Sequence, residues 1–174
     1  FVVTAYVHED RDHERDLSER VAGVERLFRQ GLEKDAFMMQ AALATLSRDE
    51  GIKKDFLQGN REALLKRAWP IFDKLRQSNR ITHLYFTAPN RVNFRRVHHP
   101  NHHGDVIDRI TTLRAAEIQE AARGIELGPL GTFTLRVVVP WYKDSQLIGF
   151  LELGEEINHI TEEVHGILGV DLLV

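Results

Sequence analysis

I-T-H-L-Y-F-T-A-P-N-R-V-N-F-R-R-V-H, residues Ile81 to His98, is where the chain changes grammar. Ile81 to Thr87 is rich in β-branched and aromatic residues, Ala88-Pro89-Asn90 reads as a turn, and Arg91 to His98 reads as a second strand, so the stretch predicts a β-hairpin. Everything before it is patterned as helix. Everything after it alternates between one helix and several strands.

Upstream, Asp10 to Arg48 contains no proline, and Leu17, Val21, Val24, Phe28, Gly31 or Leu32, Ala36, Met39, Leu43 and Leu46 recur at steps of about three and four. That spacing predicts one helix of about 35 residues, roughly three times the usual length. Such a helix exceeds what a small domain can cover, so part of it is expected to project or to pair with the same helix of a second copy. Phe37, Met38 and Met39 then belong to the core or to a dimer seam, and Gly51 is the expected breaker. Ile52 to Gln58 predicts a short helix closed by Gly59. Asn60 is placed to cap a helix over Arg61 to Gln77, which Pro70 is expected to kink or split.

Downstream come a loop, His99 to Gly104, and a helix from Val106 to Ala122 with Asp105 as its natural N-cap. Strands are predicted over Gly124 to Leu127, Thr132 to Trp141 and Gln146 to Gly154, the last two joined by a turn at Lys143-Asp144-Ser145. A helix from Glu155 to Leu168 follows, with the acidic pair Glu155-Glu156 in its first turn, and the apolar Val170 to Val174 can form a further strand. The sum is an α+β fold: a central antiparallel sheet of about five strands with a long N-terminal helix and helices on one side.

The 174 residues are 43% apolar, enough for one domain with a real core, with or without a helical appendage. With 23 basic against 26 acidic residues, the net charge of −3 gives no field that would argue for nucleic acid or an acidic membrane surface. The absence of cysteine excludes disulfides, thiol nucleophiles, iron–sulfur ligation and cysteine zinc sites. No apolar run approaches the roughly 18 residues needed to cross a bilayer, and no signal peptide is visible. The chain opens on Phe1 to Val7 and closes inside an apolar run, the pattern expected of a segment cut from a longer protein, for instance between two membrane spans.

Polar chemistry concentrates in Phe94 to Asp105, which holds two arginines, four histidines and an aspartate. Strand alternation puts Val92, Phe94, Arg96 and His98 on one face, Thr132, Thr134, Arg136 and Val138 on one face, and Ile148, Phe150 and Glu152 opposite Leu147, Leu151 and Leu153. One face of the sheet is therefore aliphatic, and the other carries Arg96, His98, Arg136 and Glu152, which are costly to bury without partners. Either the arginines are donors for a carboxylate, with His98, Tyr85 and Trp141 shaping the site, or Arg136 pairs internally with Glu152 or Asp105 and needs no ligand.

His98, His99, His102 and His103, with Asp105, carry the ligand types that bind zinc, nickel or copper. Their spacing matches no metal motif, and a solvated loop with His98 buried is the preferred reading. His13, His83, His159 and His165 are scattered and read as surface or local hydrogen-bonding residues. Gly124 to Gly131 is followed by no Gly-Lys-Ser/Thr, so it is a turn rather than a phosphate loop. No serine sits as a nucleophile and no cofactor motif is present, so the expectation is a protein that is not an enzyme and carries no cofactor.

Several stretches together resemble the PAS-like periplasmic sensor domains of the Cache superfamily, of the double-Cache type. They are His83-x-Tyr85-Phe86, Phe94-x-Arg96-Val97-His98-x-Pro100 with Gly104-Asp105, Arg109-x-Thr111, Gly124 to Val138, Pro140-Trp141-Tyr142 and Leu147 to Ile157. The resemblance divides the chain into a helical region over 1–80, a sensor core over 81–160 and a helix end over 161–174. Only one sheet unit fits this length, so a second module is expected to be absent or truncated, with Val170 to Val174 as its start. It implies a periplasmic input domain of a two-component or chemotaxis receptor, flanked by transmembrane helices and paired as a homodimer through the long helix. Its partner is a small molecule, such as a carboxylate, bound on the sheet, and its output is a kinase, diguanylate cyclase or chemotaxis module. The residues expected to carry binding are Tyr85, Arg96, His98 and Asp105 on one side, and Arg109, Arg136, Trp141 and Glu152 on the other.

Overall fold

The structure, a computed structural model, describes residues 2–128 and 131–168. Pro129 and the apolar run Val170 to Val174 lie outside the described residues. The elements in order are α1 (Val2–Leu46), α2 (Glu50–Leu57), α3 (Arg61–Asn79), β1 (Ile81–Thr87), β2 (Asn93–Arg96), α4 (Ile110–Ile118), β3 (Ala122–Leu127), β4 (Phe133–Lys143), β5 (Gln146–Glu156) and α5 (Asn158–Leu168). They fall into two compact units, Phe1–Lys34 with Asn158–Val174 and Asp35–Ile157.

In the first unit, α1 approaches α5 at Gly31. A Cβ there would lie 3.1 Å from Cγ2 of Ile160, so a bare backbone is what lets the two helices meet this closely.

The second unit holds the sheet, antiparallel throughout in the order β2-β1-β5-β4-β3. Its two long strands, β4 and β5, are joined at Asp144 (φ 48°) and Ser145 (φ 66°). Two successive left-handed residues make the hairpin turn whose twist matches that of the flanking strands. On one face Phe86, Trp141, Leu151 and Leu153 are buried, together with Met39 and Leu43 of α1 and Phe56 of α2. Trp141 packs its ring on Phe56 and Phe86 and donates its indole N–H to Ser47 O at 2.9 Å. On the other face α4 lies over β3 and β4, with Ala115 in a cluster with Ala122, Val138 and Phe150. Helices therefore cover both faces, where the sequence predicted one.

Several local expectations are corrected. Gly51 does not break α1; Ser47 to Asp49 does, and Gly51 lies in the first turn of α2, which Asp49 caps by accepting from Ile52 N. Pro70 does not split α3, which runs from Arg61 to Asn79 as one helix with the proline inside it. Asn60 caps it as predicted, accepting from Ala63 N, and Gly59 stands in the left-handed region behind α2. Asn60→Ala is expected to cost about 0.5–2 kcal/mol in thermal unfolding, the usual worth of such a cap. Of Phe37, Met38 and Met39, Met39 is fully buried and Phe37 is exposed.

α4 is shorter than predicted because 105–107 is extended. Val106 bridges Val92, Asn93 N donates to Asp105 O, and Ile107 N donates to Arg91 O. This backbone pairing holds the chain off the helical path, so Arg109, not Asp105, is the N-cap. Glu155 and Glu156 end β5 rather than opening α5, their backbone being paired with Leu135 and Thr134 of β4.

Candidate functional site

Register builds the α4-facing side of the sheet into rows that cross the strands. One row is Arg96, Tyr85, Glu152, Val138 and Ala122; the next contains His83, Gly154, Arg136 and Gly124. Gly154 makes room for Arg136, while a Cβ on Gly124, on its other side, would meet Thr111 Cγ2 at 3.4 Å. A Cβ on Gly154 would lie 3.1 Å from His83 Cβ, 3.2 Å from Thr134 Cγ2 and 3.4 Å from Arg136 Nη1.

A bulge decides which β2 residues join this face. Phe86 pairs with Arg95 and Thr87 with Asn93, so one step on β1 spans two on β2 and Phe94 is the extra residue. Strict alternation had placed Phe94 with Arg96. Instead Phe94 packs on Phe56 at 4.8 Å and Arg95 donates to Glu62 and to Pro100 O, while Arg96 reaches Asp105.

Three guanidinium groups converge on the ring of Tyr85: Arg109 at 4.6 Å, Arg96 at 5.3 Å and Arg136 at 6.0 Å. Three carboxylates face them. Glu152 accepts from Arg109 Nη2 on both oxygens and from Arg136 Nη1, all at 2.7 Å. Asp105 takes Arg96 in a fork, 2.8 and 2.6 Å, and also Asn93. Glu126 accepts from the backbone N and the hydroxyl of Thr111, 2.8 Å each. The pairing of Arg136 with Glu152 realises one half of the internal arrangement foreseen from sequence; Asp105 takes Arg96 instead. Among the described residues, Nε of Arg109, Nε of Arg136, Oε2 of Glu126, Oγ1 of Thr134 and Oδ1 of Asn93 are buried here without a hydrogen-bond partner.

The environment sets the charges. The Arg96 hydrogen bonds hold Asp105 down at about 2, against some desolvation and with help from Asn93. Burial resists the charge on Arg109, yet Glu152, Tyr85 and Glu126 together raise its pKa. His83 is lowered to about 4, first by burial and then by Arg136, Arg109 and Arg96. His98 is lowered to about 3 by burial and then by His83, whose ring stands 4.6 Å away. Both histidines are thus neutral in the folded protein near neutrality. Because their folded pKa values lie below the ordinary 6.5, the unfolded chain binds more protons between those limits. Stability is expected to be full above about pH 6.5 and to fall as pH drops toward 4 for His83 and on toward 3 for His98. Asp105 adds its own loss below about pH 4, as pH falls toward its folded value. Thermal unfolding followed against pH checks both, and His83→Asn with His98→Gln should flatten only the upper limb.

Of the residues singled out from sequence, Tyr85, Arg96, His98, Asp105, Arg109, Arg136 and Glu152 lie in or against this layer. Trp141 does not, since it belongs to the opposite face. His98 turns into the sheet, where its Nδ1 accepts from Leu84 N, and leaves exposed His99, His102 and His103 behind. The His99 and His102 rings stack at 4.4 Å. Sequence reasoning missed Glu126, Thr111 and His83. Glu126 was legible as the polar residue between Ile125 and Leu127 on a strand, a phase that aims it at α4; His83 had only its place one step from Tyr85 on the same face. A separate open groove of about 560 Å³ lies beside the start of β3, bordered by Gln40, Glu120, Arg123 and Val137.

Comparison with solved structures gives the fold independent support. The chain is similar to the sensor domain of E. coli DcuS (TM-score 0.62, 20% identity, covering 79% of this chain and 98% of that one). It is also similar to the sensor domain of the V. cholerae histidine kinase DctB (TM-score 0.69, 12% identity, 85% of this chain), of which it spans just over half, 57%. At these identities the likeness speaks for the fold alone. No curated protein sequence matches the chain. Among the described residues no helix is long and apolar enough to cross a membrane. The family described as the double sensory domain of two-component sensor kinases matches residues 14–174, and the chain belongs to it: it is a Cache-type sensor domain.

Proposed function

We propose that this sensor domain is the extracytoplasmic input of a bacterial transmembrane receptor, and that it binds a small carboxylate-bearing molecule between α4 and the sheet. The observation that carries the reading is the convergence of Arg96, Arg109 and Arg136 on Tyr85 with two of their Nε donors buried and unused. Planar guanidinium donors suit a carboxylate, and a buried donor without an acceptor costs about 1–3 kcal/mol. An incoming anion would recover that cost. The domain performs no chemistry in this reading. The ligand displaces one of the layer's internal carboxylates, the change passes through the sheet to α5, which continues β5 in the chain, and α1 pairs with its mate in a homodimer. Only differential affinity for two arrangements can supply the signal.

Thermal unfolding across a panel of small carboxylates tests this. At least one should raise the melting temperature, since a ligand at a hundred times its Kd contributes about 2.7 kcal/mol. Arg109→Gln should abolish that rise. A panel that leaves the wild type unmoved, or a rise that survives Arg109→Gln, would count against the site.

A further inference from the structure

Glu126 differs from the other two carboxylates of the layer in one respect. Glu152 and Asp105 spend both oxygens on guanidinium donors. Glu126 spends Oε1 on Thr111, while its buried Oε2 accepts nothing and faces Arg136 Nε at 3.6 Å and Arg109 Nε at 3.7 Å. Those two Nε atoms are the same unused donors, and Arg136 is only 2% exposed. Glu126 thus occupies the place of an anion, at the first turn of α4 and between two arginines, without completing its bonds.

Resting on the anion-site reading above, we propose that Glu126 determines the specificity of the site: it is an internal stand-in for a carboxylate, and a ligand carboxylate enters by displacing it. Charge balance requires some displacement. Three arginines against three carboxylates make the layer neutral, and a fourth carboxylate would leave an uncompensated charge in a poorly solvated place. Glu152 is held by both guanidinium groups on a central strand, and Asp105 by a complete fork with Arg96. Glu126 is tethered by Thr111 alone among hydrogen-bond donors. It stands on an edge strand with glycine at 124 and 128, and its side chain keeps 12% exposure, so a path to solvent exists. Its departure also frees Thr111 N, an unmet donor of a helix start and a natural anion partner.

Glu126→Gln keeps the oxygen that meets Thr111 and removes the competing charge. The probe is sodium acetate, titrated against sodium chloride of equal ionic strength and followed by the amide resonances of Thr111 and Tyr85. The acetate Kd is expected to fall at least tenfold in Glu126→Gln, and Glu126→Ala should move it in the same direction should the glutamine variant fold poorly. Equal acetate affinity in wild type and variants would overturn the role of Glu126 while leaving the site in place. Acetate binding in none of them would overturn both.

Discussion

Glu152→Ala is expected to lower stability by about 3–5 kcal/mol, the cost of breaking a buried ion pair by removing one partner. Glu152 is 1% exposed and accepts three hydrogen bonds of 2.7 Å from Arg109 and Arg136. Its removal strands two cations, one of them, Arg136, as deeply buried as itself. For a domain of this size about 2–4 °C accompanies each kcal/mol, so the melting temperature should fall by roughly 6–20 °C. Glu152→Ala paired with Arg136→Met should recover part of the loss, because replacing both partners by apolar groups avoids the orphaned charge. A single-variant loss below about 1 kcal/mol would mean that solvent already reaches the layer and screens the pair.

Gly149→Ala is the second large effect, and it acts through the backbone. Gly149 pairs with Trp141 across β4, and a Cβ on it would stand 2.2 Å from Thr87 O, 3.3 Å from Thr87 C and 3.2 Å from the Phe56 ring. A side chain could swing aside from such a contact. A carbonyl in the next strand cannot, so β1 and β5 must separate where Thr87 and Phe150 are paired. Overpacking costs typically 1–3 kcal/mol and occasionally more, and this substitution should reach at least about 3 kcal/mol because nothing flexible can yield. Gly59→Ala is the contrast. Gly59 has φ 69° and open space around the missing Cβ, so only the left-handed penalty of about 1–2 kcal/mol applies. Thermal unfolding of the two variants side by side checks the difference, and equal losses would contradict the steric account.

What the residues disclosed follows from where local chemistry decides structure. β1 was read to its exact ends, and β4 and β5 nearly so, because β-branched and aromatic runs bounded by turn residues leave little choice. Asn60 and Gly59 were legible for the same reason, each marking a helix end by its own side chain or its lack of one. Errors fell where distant pairing overrides local preference. Asp105 has the chemistry of an N-cap, yet Arg96 claims its carboxylate and the backbone bonds of 105–107 to Arg91, Val92 and Asn93 keep α4 from starting there. The bulge at Phe94 is invisible to alternation, and it alone turns Phe94 and Arg96 to opposite faces. Trp141 was expected to shape the site with His98 and Tyr85, but the strand phase sends it to the opposite face, against Phe56 and Phe86. Glu126 escaped notice because its importance arises from two arginines brought to it by β4 and by the loop before α4.

Amide chemical-shift mapping tests the central claim most directly, using the carboxylate that gives the largest thermal stabilisation. A ligand held between α4 and the sheet should move the amides of Tyr85, Arg109, Thr111 and Glu152 and leave the Trp141 indole, on the opposite face, where it was. Shifts gathered instead around Gln40, Arg123 and Val137, at the groove beside β3, would contradict the account.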